Sequence, residues 1–532
     1  MRIRAIYGPE RNLRIPGRIM FAKHKYILLA FLIVILMRVP ALIMWSPNIT
    51  GSDSAIYMET ARNIAEGKGY VSSICRYDMN IDKLRDYVNE HGNRYQGWSR
   101  APIYTYMMSG IYLITGKEHY MTGVNILNLL LFILSLVIIY RFMLQRYPDK
   151  KYAHYIAILW IGGSYVIFVT VFSGWLENFA LLNFLLAYIL HISITSRNDC
   201  PLWKIILYSF VLASLFTIKR SSMVISIPFI MHLFLLRNWK LFFRVISIFI
   251  CFAGGWYIIR NLFMSTPPFD LLSSSFPFSG EAHATNYLHL FNTSPSRFFI
   301  NVMGLLRELA SPSVLGLLFI CLVIYLIKSP NKTEKQVIWI ILISQILLIG
   351  VMNYPVKIRH IFPICIPLII SSSLVFDTML NKLKKDLRLI VLYVFIAPVV
   401  YWQIIQVTDF TKRVYYHAAD RDLIFEAADT ILNDNQVPED AVILSNIIGY
   451  NLYSDRGYVL APLNINSLNY HEIINFYGVD YVLHSVGYTQ YLGWTEYTLM
   501  TDIYQDLPLV EASKMHTPMK LYSTKRTKQL RK

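Results

Sequence analysis

Charge is scarce in this sequence. Only 16% of the 532 residues are charged and 55% are hydrophobic, and the apolar residues form long blocks instead of short helical stripes. A soluble core does not accommodate many apolar runs of about 20 residues, the length that crosses a bilayer core about 30 Å thick. The shortage of charge therefore excludes a soluble globular protein and predicts a polytopic membrane protein.

Cysteine is also rare. The chain has five cysteines, which are widely spaced and contain no CxxC pair, so we predict neither disulfides nor a cysteine metal site. Histidines in the predicted loops are too isolated to indicate metal ligands. We therefore predict no metal site and no required cofactor, with a divalent metal left as an open alternative.

Among the few charged residues, basic residues outnumber acidic ones, and the net charge is +17. We count about eleven apolar runs of span length between residues 25 and 406, and the basic residues concentrate in alternate connections between these runs. By the positive-inside rule such connections are cytoplasmic, which favours a bilayer over a nucleic acid as the partner. The basic connections are the N-terminal tail and those containing Arg146, Lys150, Lys151, Arg197, Lys204, Arg237, Lys240, Lys328, Lys332, Lys335, Lys382, Lys384, Lys385 and Arg388.

Composition divides the chain into three predicted parts. Residues 1–24 form a basic cytoplasmic tail, residues 25–406 a transmembrane domain with an extracytoplasmic loop at 46–121, and residues 407–532 a soluble extracytoplasmic α/β domain. Within the loop, residues 102–115 are apolar but short, which predicts an interfacial or re-entrant helix. In the last part, residues 438–445 predict a turn leading into a buried strand, residues 472–477 a helix that ends at Gly478, and residues 479–483 another strand.

The most specific pattern is residues 51–70, GSDSAIYMETARNIAEGKGY. Asp53 is followed by Tyr57, then by Ala-Arg-Asn, and finally by Gly-x-Gly and Tyr70. This stretch resembles the first extracytoplasmic loop of the GT-C membrane glycosyltransferases that use polyprenyl-phosphate sugars. That group includes the lipid A aminoarabinose transferases and the dolichyl-phosphate-mannose protein mannosyltransferases. The resemblance implies a GT-C helical bundle with a small C-terminal α/β domain and makes Asp53 the catalytic carboxylate. Asp53 is also a good helix N-cap, and the two roles are compatible.

Glu177 is the second candidate acid. It lies in the segment SGWLENF, at the outer end of a predicted span, on the same side as Asp53. An ionisable group at a span end is a functional candidate because burying charge in lipid is expensive. The resemblance implies a role in acceptor binding or in positioning the acid, and the alternative is an ordinary interfacial residue.

Several basic residues lie at the predicted outer ends of spans, where the positive-inside rule disfavours them. They lie in segments similar to family motifs. A phosphate-bearing donor explains them, because guanidinium groups match phosphate oxygens; the alternative is snorkelling to lipid headgroups. The candidate phosphate-binding residues are Arg100, Lys219, Arg220, Arg260, Lys357 and Arg359. The resemblance further assigns Tyr57, Tyr70 and Trp256 to substrate binding.

We therefore expect an integral-membrane, inverting glycosyltransferase. It would move a pentose or hexose from an undecaprenyl or dolichyl monophosphate to a lipid, glycan or protein acceptor on the extracytoplasmic face. The membrane would be the plasma membrane of a bacterium or archaeon, or the endoplasmic reticulum of a eukaryote. The alternative is a transporter or flippase for a lipid-linked sugar, which would need ionisable residues in mid-span.

Overall fold

The computed structural model describes residues 31–32, 34–36, 52–69, 71–72, 95–96, 102–163, 177–196, 200–218, 220–262, 295–310, 322–327, 332–351, 362–388, 390–391, 393, 401, 404–405, 408, 424–447, 450, 456–460, 474–475, 478–485, 507–513 and 519–524. The chain is mainly helical, as predicted. The helices are α1 (Ser52–Ala65), α2 (Pro102–Arg146), α3 (Lys151–Gly163), α4 (Glu177–Thr195), α5 (Leu202–Ile218), α6 (Arg220–Leu235), α7 (Trp239–Leu262), α8 (Pro295–Ala310), α9 (Lys332–Val351) and α10 (Phe362–Asn381). The strands are β1 (Val71–Ser72), β2 (Tyr95–Gln96), β3 (Val442–Ser445), β4 (Gly457–Leu460), β5 (Tyr481–Ser485), β6 (Leu509–Ser513) and β7 (Met519–Ser523).

The helices pack around one apolar core that joins α1 to the bundle. Two described stretches, Ile103–Arg146 and Asn178–Thr195, are long and apolar enough to cross a membrane. Shorter apolar helices occupy Leu202–Leu215, Ser226–Leu235 and Ile366–Asn381. Large apolar side chains also face outward, among them Leu130, Ile250 and Leu347, as expected of a surface in contact with lipid. The count of about eleven spans stays a prediction.

Helix α2 is a hairpin of two helical arms. Gly116 interrupts it with φ 70° and ψ 177°, a backbone conformation that glycine adopts without strain. Tyr104 donates a hydrogen bond to Asn128 across 24 residues, at 3.1 Å, whereas a straight helix would separate them by about 36 Å. The rings of Tyr112 and Tyr120 meet at 5.0 Å. Both pairs are symmetric about Gly116, so the first arm (residues 102–115) runs antiparallel to the second (residues 117–146).

The arms approach closely at Gly123. A Cβ atom added there would lie 2.5 Å from Cγ2 of Ile111 and 2.9 Å from Cγ2 of Thr115. Glycine is therefore required for the contact, because a larger residue would push the first arm away. The short apolar helix expected at 102–115 is present, and it packs on the second arm instead of continuing it.

The basic connections that the structure describes meet at one end of the bundle, here called the basic end. Glu334 of α9 is 2% exposed and pairs with Arg146 at the end of α2, with 3.2 Å between Nε and Oε1. Tyr147 and Tyr325 both donate to its second carboxylate oxygen, at 2.6 and 2.5 Å. A buried carboxylate is tolerated when its oxygens are paired in this way.

A second buried acid holds α10 to α3 at this end. The carboxylate of Asp377 is 3.5 Å from Nζ of Lys150 and accepts the backbone N–H of Tyr152 at 3.0 Å. Arg388 donates to the hydroxyl of Tyr152 at 3.3 Å. The connections near residues 146–151, 332–335 and 382–388, which the charge pattern assigns to one side, are therefore neighbours.

A hydrogen-bonded chain, here called the polar layer, joins α4, α5 and α6 to α9 towards the basic end. His191 of α4 contacts Tyr208 of α5 at 2.6 Å and His232 of α6 at 2.8 Å, and His232 contacts Gln336 of α9 at 3.4 Å. The ends of α4 and α6 and the starts of α5 and α9 thus lie together. The second arm of α2 and helices α4 and α6 all end at the basic end. The first residues of that arm and of α4 and α6 therefore lie at the opposite end, here called the far end.

The C-terminal part contains a five-stranded sheet in the order β4-β3-β5-β7-β6. Strands β4, β3 and β5 are parallel, and β7 and β6 are antiparallel to their neighbours. Its core includes Ile443, Leu483 and Leu521, with helical residues 424–434 packed on it. Both predicted strands are present, although β5 begins at Tyr481 and extends to Ser485, and Gly478 has a positive φ of 59°. The predicted domain boundaries stay predictions.

Candidate functional site

Helix α1, which carries Asp53, lies along both arms of α2. The hydroxyl of Tyr120 donates to the carbonyl of Met58 at 3.1 Å, and the rings of Tyr57 and Tyr104 meet edge to face at 6.3 Å. The structure describes the backbone of Asp53 but not its side chain. One helical turn separates Asp53 from Tyr57, so the start of α1 lies close to the start of the first arm.

The register between α1 and α2 gives the level of Asp53. Helix α1 runs towards the hairpin tip, since its end contacts Tyr112, so it is antiparallel to the second arm. Met58 contacts Tyr120, so counting back five residues brings Asp53 level with Asn125 of that arm. Tyr57 contacts the same Tyr104 that binds Asn128, so counting back four residues brings Asp53 level with residue 132. These two levels are 21 and 14 residues before Arg146, about 32 and 21 Å along a helix. Asp53 therefore lies beside residues 125–132 of the second arm, towards the far end.

A charged cluster fixes the other end of α1. Glu66 accepts hydrogen bonds from Lys68 at 2.5 Å, from Arg62 at 2.8 Å and from Tyr112 at 2.8 Å. Burial by itself raises the pKa of Glu66, but the hydrogen bonds from these three side chains outweigh it and lower the pKa to about 2. Glu66 is therefore ionised at neutral pH and ties α1 to the first arm, which holds the helix that carries Asp53.

The start of α4 also contacts the first arm of α2. Phe179 of α4 stacks on Tyr104 with ring centroids 6.0 Å apart and an interplanar angle of 23°. Glu177 is the first residue of α4 and lies two residues before Phe179; its side chain is outside the described set. Tyr104 thus contacts both the helix of Asp53 and the helix of Glu177, so the backbones of the two candidate acids lie within about two helical turns of one level.

Two candidate cations also have described backbones. Glu177 lies 14 residues before His191 in α4, and Arg220 lies 12 residues before His232 in α6. These separations are about 21 and 18 Å along the helices. Helix α7 passes the layer near Val245, whose carbonyl accepts a hydrogen bond from Ser209 at 3.2 Å. Arg260 is 15 residues further, about 22 Å. All three residues therefore lie at similar heights at the far end.

The structure describes two of the remaining predicted site residues, Trp256 and Tyr57, at least in part. Trp256 lies in the same helix as Arg260, one turn before it, and its side chain is not described. Tyr57 is 2% exposed and packs against Tyr104, so its visible role is in the core, and substrate contact stays a prediction. The predicted residues outside the described part of the chain are Tyr70, Arg100, Lys219, Lys357 and Arg359.

Sequence reasoning missed a pair of asparagines at this level. Asn125 and Asn128 are 3% and 0% exposed and occupy one face of the second arm, three residues apart. Asn128 accepts the hydrogen bond from Tyr104. The sequence signal was available, because VNILNLLLF places two amides inside an apolar run, where polar residues are usually functional or paired.

Metal ligation has no support among the side chains that the structure describes, since no three of their His, Cys, Asp or Glu residues cluster. The side chains of Asp53 and Glu177 are not among those described. The prediction of no metal site stays a prediction.

No family model matches the sequence, and no curated protein matches it. Solved structures do match by fold. The crystal structure of ArnT from Cupriavidus metallidurans bound to undecaprenyl phosphate aligns with a TM-score of 0.55 and 11% identity, covering 94% of this chain and 98% of that chain. The apo structure of ArnT from the same organism aligns with a TM-score of 0.57, again at 11% identity and the same coverage. ArnT is a lipid A aminoarabinose transferase of the GT-C type. The alignments extend over nearly the whole of both chains and confirm the GT-C fold that the loop at 51–70 predicts.

Proposed function

We propose that this protein is an integral-membrane glycosyltransferase that moves a pentose or hexose from a polyprenyl monophosphate to a hydroxyl group of a lipid, glycan or protein. The proposal rests chiefly on one observation: the helix ends that carry Asp53, Glu177, Arg220 and Arg260 lie towards the far end of the bundle, in a chain with the fold of ArnT. The undecaprenyl phosphate bound to ArnT supports a polyprenyl-phosphate donor here.

The reaction at this site is an inverting displacement. The acceptor oxygen attacks the anomeric carbon while the bond between that carbon and the phosphate oxygen breaks. Asp53 takes the proton of the acceptor hydroxyl, and the polyprenyl phosphate leaves with the electron pair of the broken bond. General base catalysis of this kind contributes about 10²- to 10⁴-fold in rate. Glu177 positions the acceptor or Asp53.

Cations at the far end stabilise the departing phosphate. Guanidinium groups donate paired hydrogen bonds to phosphate oxygens, and such bonds strengthen where water is excluded. Tyr57, Tyr70 and Trp256 contact the sugar or the acceptor in this proposal. The residues proposed to hold the phosphate are Arg100, Lys219, Arg220, Arg260, Lys357 and Arg359.

The reaction face is extracytoplasmic in this proposal. The turns with Arg146, Lys150 and Arg388 lie at the basic end, and short basic connections are retained in the cytoplasm. The far end is then the outer side. The polyprenyl tail lies in the bilayer beside the bundle, and its phosphate reaches the far end at the membrane surface.

The test is a transfer assay with purified protein in liposomes, undecaprenyl phosphates labelled in the sugar, and a membrane extract as the source of acceptor. The expected result is consumption of one labelled donor and the appearance of label in an acceptor, dependent on both protein and extract. Movement of an intact donor across the bilayer without transfer would instead support a flippase. No consumption of any donor by folded protein would reject the proposed function.

A further inference from the structure

We propose that Asn125 and Asn128 bind hydroxyl groups of the donor sugar, beside Asp53. This inference rests on the proposed function and adds to it the part of the substrate that the second arm of α2 recognises. The motif at 51–70 does not include these residues, and they follow from the packing of the hairpin alone.

Both side chains are buried, and each has a polar atom that no described residue pairs. Among the described residues, neither Oδ1 of Asn125 nor Nδ2 of Asn128 has a hydrogen-bond partner. The other amide atom of Asn128 accepts from Tyr104 at 3.1 Å. Buried polar atoms are almost always paired in folded proteins, so two such atoms on one helix face indicate a place for a polar ligand.

The two asparagines also lie near the candidate base. The register of α1 on the second arm places Asp53 beside residues 125–132, the stretch that contains Asn125 and Asn128. Tyr104, which donates to Asn128, also contacts Tyr57 of the Asp53 helix and Phe179 of α4. A sugar whose anomeric carbon lies near Asp53 would therefore have its ring hydroxyls within reach of the two amides.

The chemistry of the two side chains also suits a sugar. A carboxamide offers both a donor and an acceptor and carries no charge, which suits a hydroxyl group, itself both donor and acceptor. A phosphate would call for cations, and the candidate cations lie on other helices. The chemistry therefore fits the sugar moiety of the donor better than its phosphate.

A third asparagine shows what a purely structural amide looks like in this bundle. Asn183 of α4 is 6% exposed, and its Nδ2 donates to the carbonyl of Phe179 at 2.8 Å, within its own helix. Its burial is similar to that of Asn125, but its donor is used locally. Asn183 is therefore the matched control for Asn125 and Asn128.

The experiment measures the affinity of purified protein in nanodiscs for undecaprenyl phosphate and for its glucosyl, mannosyl and arabinosyl forms. The wild-type protein is expected to bind at least one glycosylated form about tenfold or more tightly than bare undecaprenyl phosphate. The near-isosteric variants Asn125→Leu and Asn128→Leu should lose most of that preference and keep the affinity for the bare lipid. Asn183→Leu should keep both.

The outcomes separate this inference from the proposed function. If wild type binds neither bare nor glycosylated lipid, the proposed function fails. If bare lipid binds but glycosylated forms bind no better, or if Asn125→Leu and Asn128→Leu keep the preference, only the role of the asparagines is overturned. Asn125→Ser and Asn128→Ser, which keep a small polar group, replace the leucine variants should these fail to fold.

Discussion

The buried acids at the basic end and the buried asparagines at the far end differ in how fully they are paired. At the basic end, Glu334 has an arginine and two tyrosines on its carboxylate, and Asp377 has a lysine and a backbone N–H. At the far end, Asn125 and Asn128 are equally buried, yet each retains an atom without a partner among the described residues.

The paired acids serve stability, and the asparagines with spare polar atoms serve function. Fully paired buried groups join helices and set their order, because removing any one partner leaves a charge that the interior cannot solvate. Groups left with spare donors and acceptors add little to stability, and natural proteins keep them where a ligand completes the pairing. Substitutions at the basic end should therefore affect folding, and substitutions at the far end should affect transfer.

The largest expected loss of stability follows Glu334→Ala. Arg146 would remain in the bundle without its buried partner, and the hydroxyls of Tyr147 and Tyr325 would lose their acceptor. Breaking a buried ion pair costs about 3–5 kcal/mol. Thermal unfolding in detergent should show a clear fall in Tm. Glu118→Ala, at an exposed position of α2, is the control and should change Tm little; equal Tm values for the two variants would contradict the contrast between the ends.

An intermediate effect is expected from Gly123→Ala. The added Cβ would clash with Ile111, so the arms of α2 must separate, at a cost of about 1–3 kcal/mol. Because Asn125 lies on the next half-turn, the transfer rate should fall as well, by about tenfold. Gly110→Ala is the control, since a Cβ there meets nothing within 4 Å and alanine favours a helix. Wild-type transfer by Gly123→Ala would show that the arm spacing does not matter.

The smallest expected effect concerns Glu66 and is visible only through pH. Its pKa is lowered from 4.5 to about 2 in the fold, so the stabilisation that it provides is present above pH 4.5 and is lost as the pH falls towards 2. Because Glu66 is partly exposed, the effect is less than about 1 kcal/mol. The protection factors of α1 amides, which are corrected for the intrinsic pH dependence of exchange, should fall over this interval in wild type. In Glu66→Gln they should be lower at neutral pH and change little with pH.

Much of the helical architecture could be predicted from the sequence. Apolar run length and the alternation of basic connections indicate a bundle, and the basic connections that the structure describes do meet at one end. The motif around Asp53 indicates the GT-C fold. Each of these features is local or periodic, so the chain itself displays it.

The hairpin and the asparagine pair could not be predicted in the same way. The reversal at Gly116 depends on a single glycine, and Gly-containing helices are common enough that the residue type alone does not mark a turn. Whether Asn125 and Asn128 are paired depends on the first arm, more than a dozen residues away in sequence. In the C-terminal part, β4, β6 and β7 were missed because short strands pair with distant partners that local patterning does not reveal.

The most direct test of the central claim, that Asp53 is the base of the reaction, is the transfer rate of Asp53→Asn measured together with its Tm. Asp53 is the second residue of α1, and asparagine keeps its size and shape but cannot accept the proton of the acceptor. We expect the rate to fall by about 10²- to 10⁴-fold while Tm stays within about 2 °C of wild type, because losing one charge in the first turn of a helix costs less than about 1 kcal/mol. A variant that transfers sugar at the wild-type rate would contradict the account.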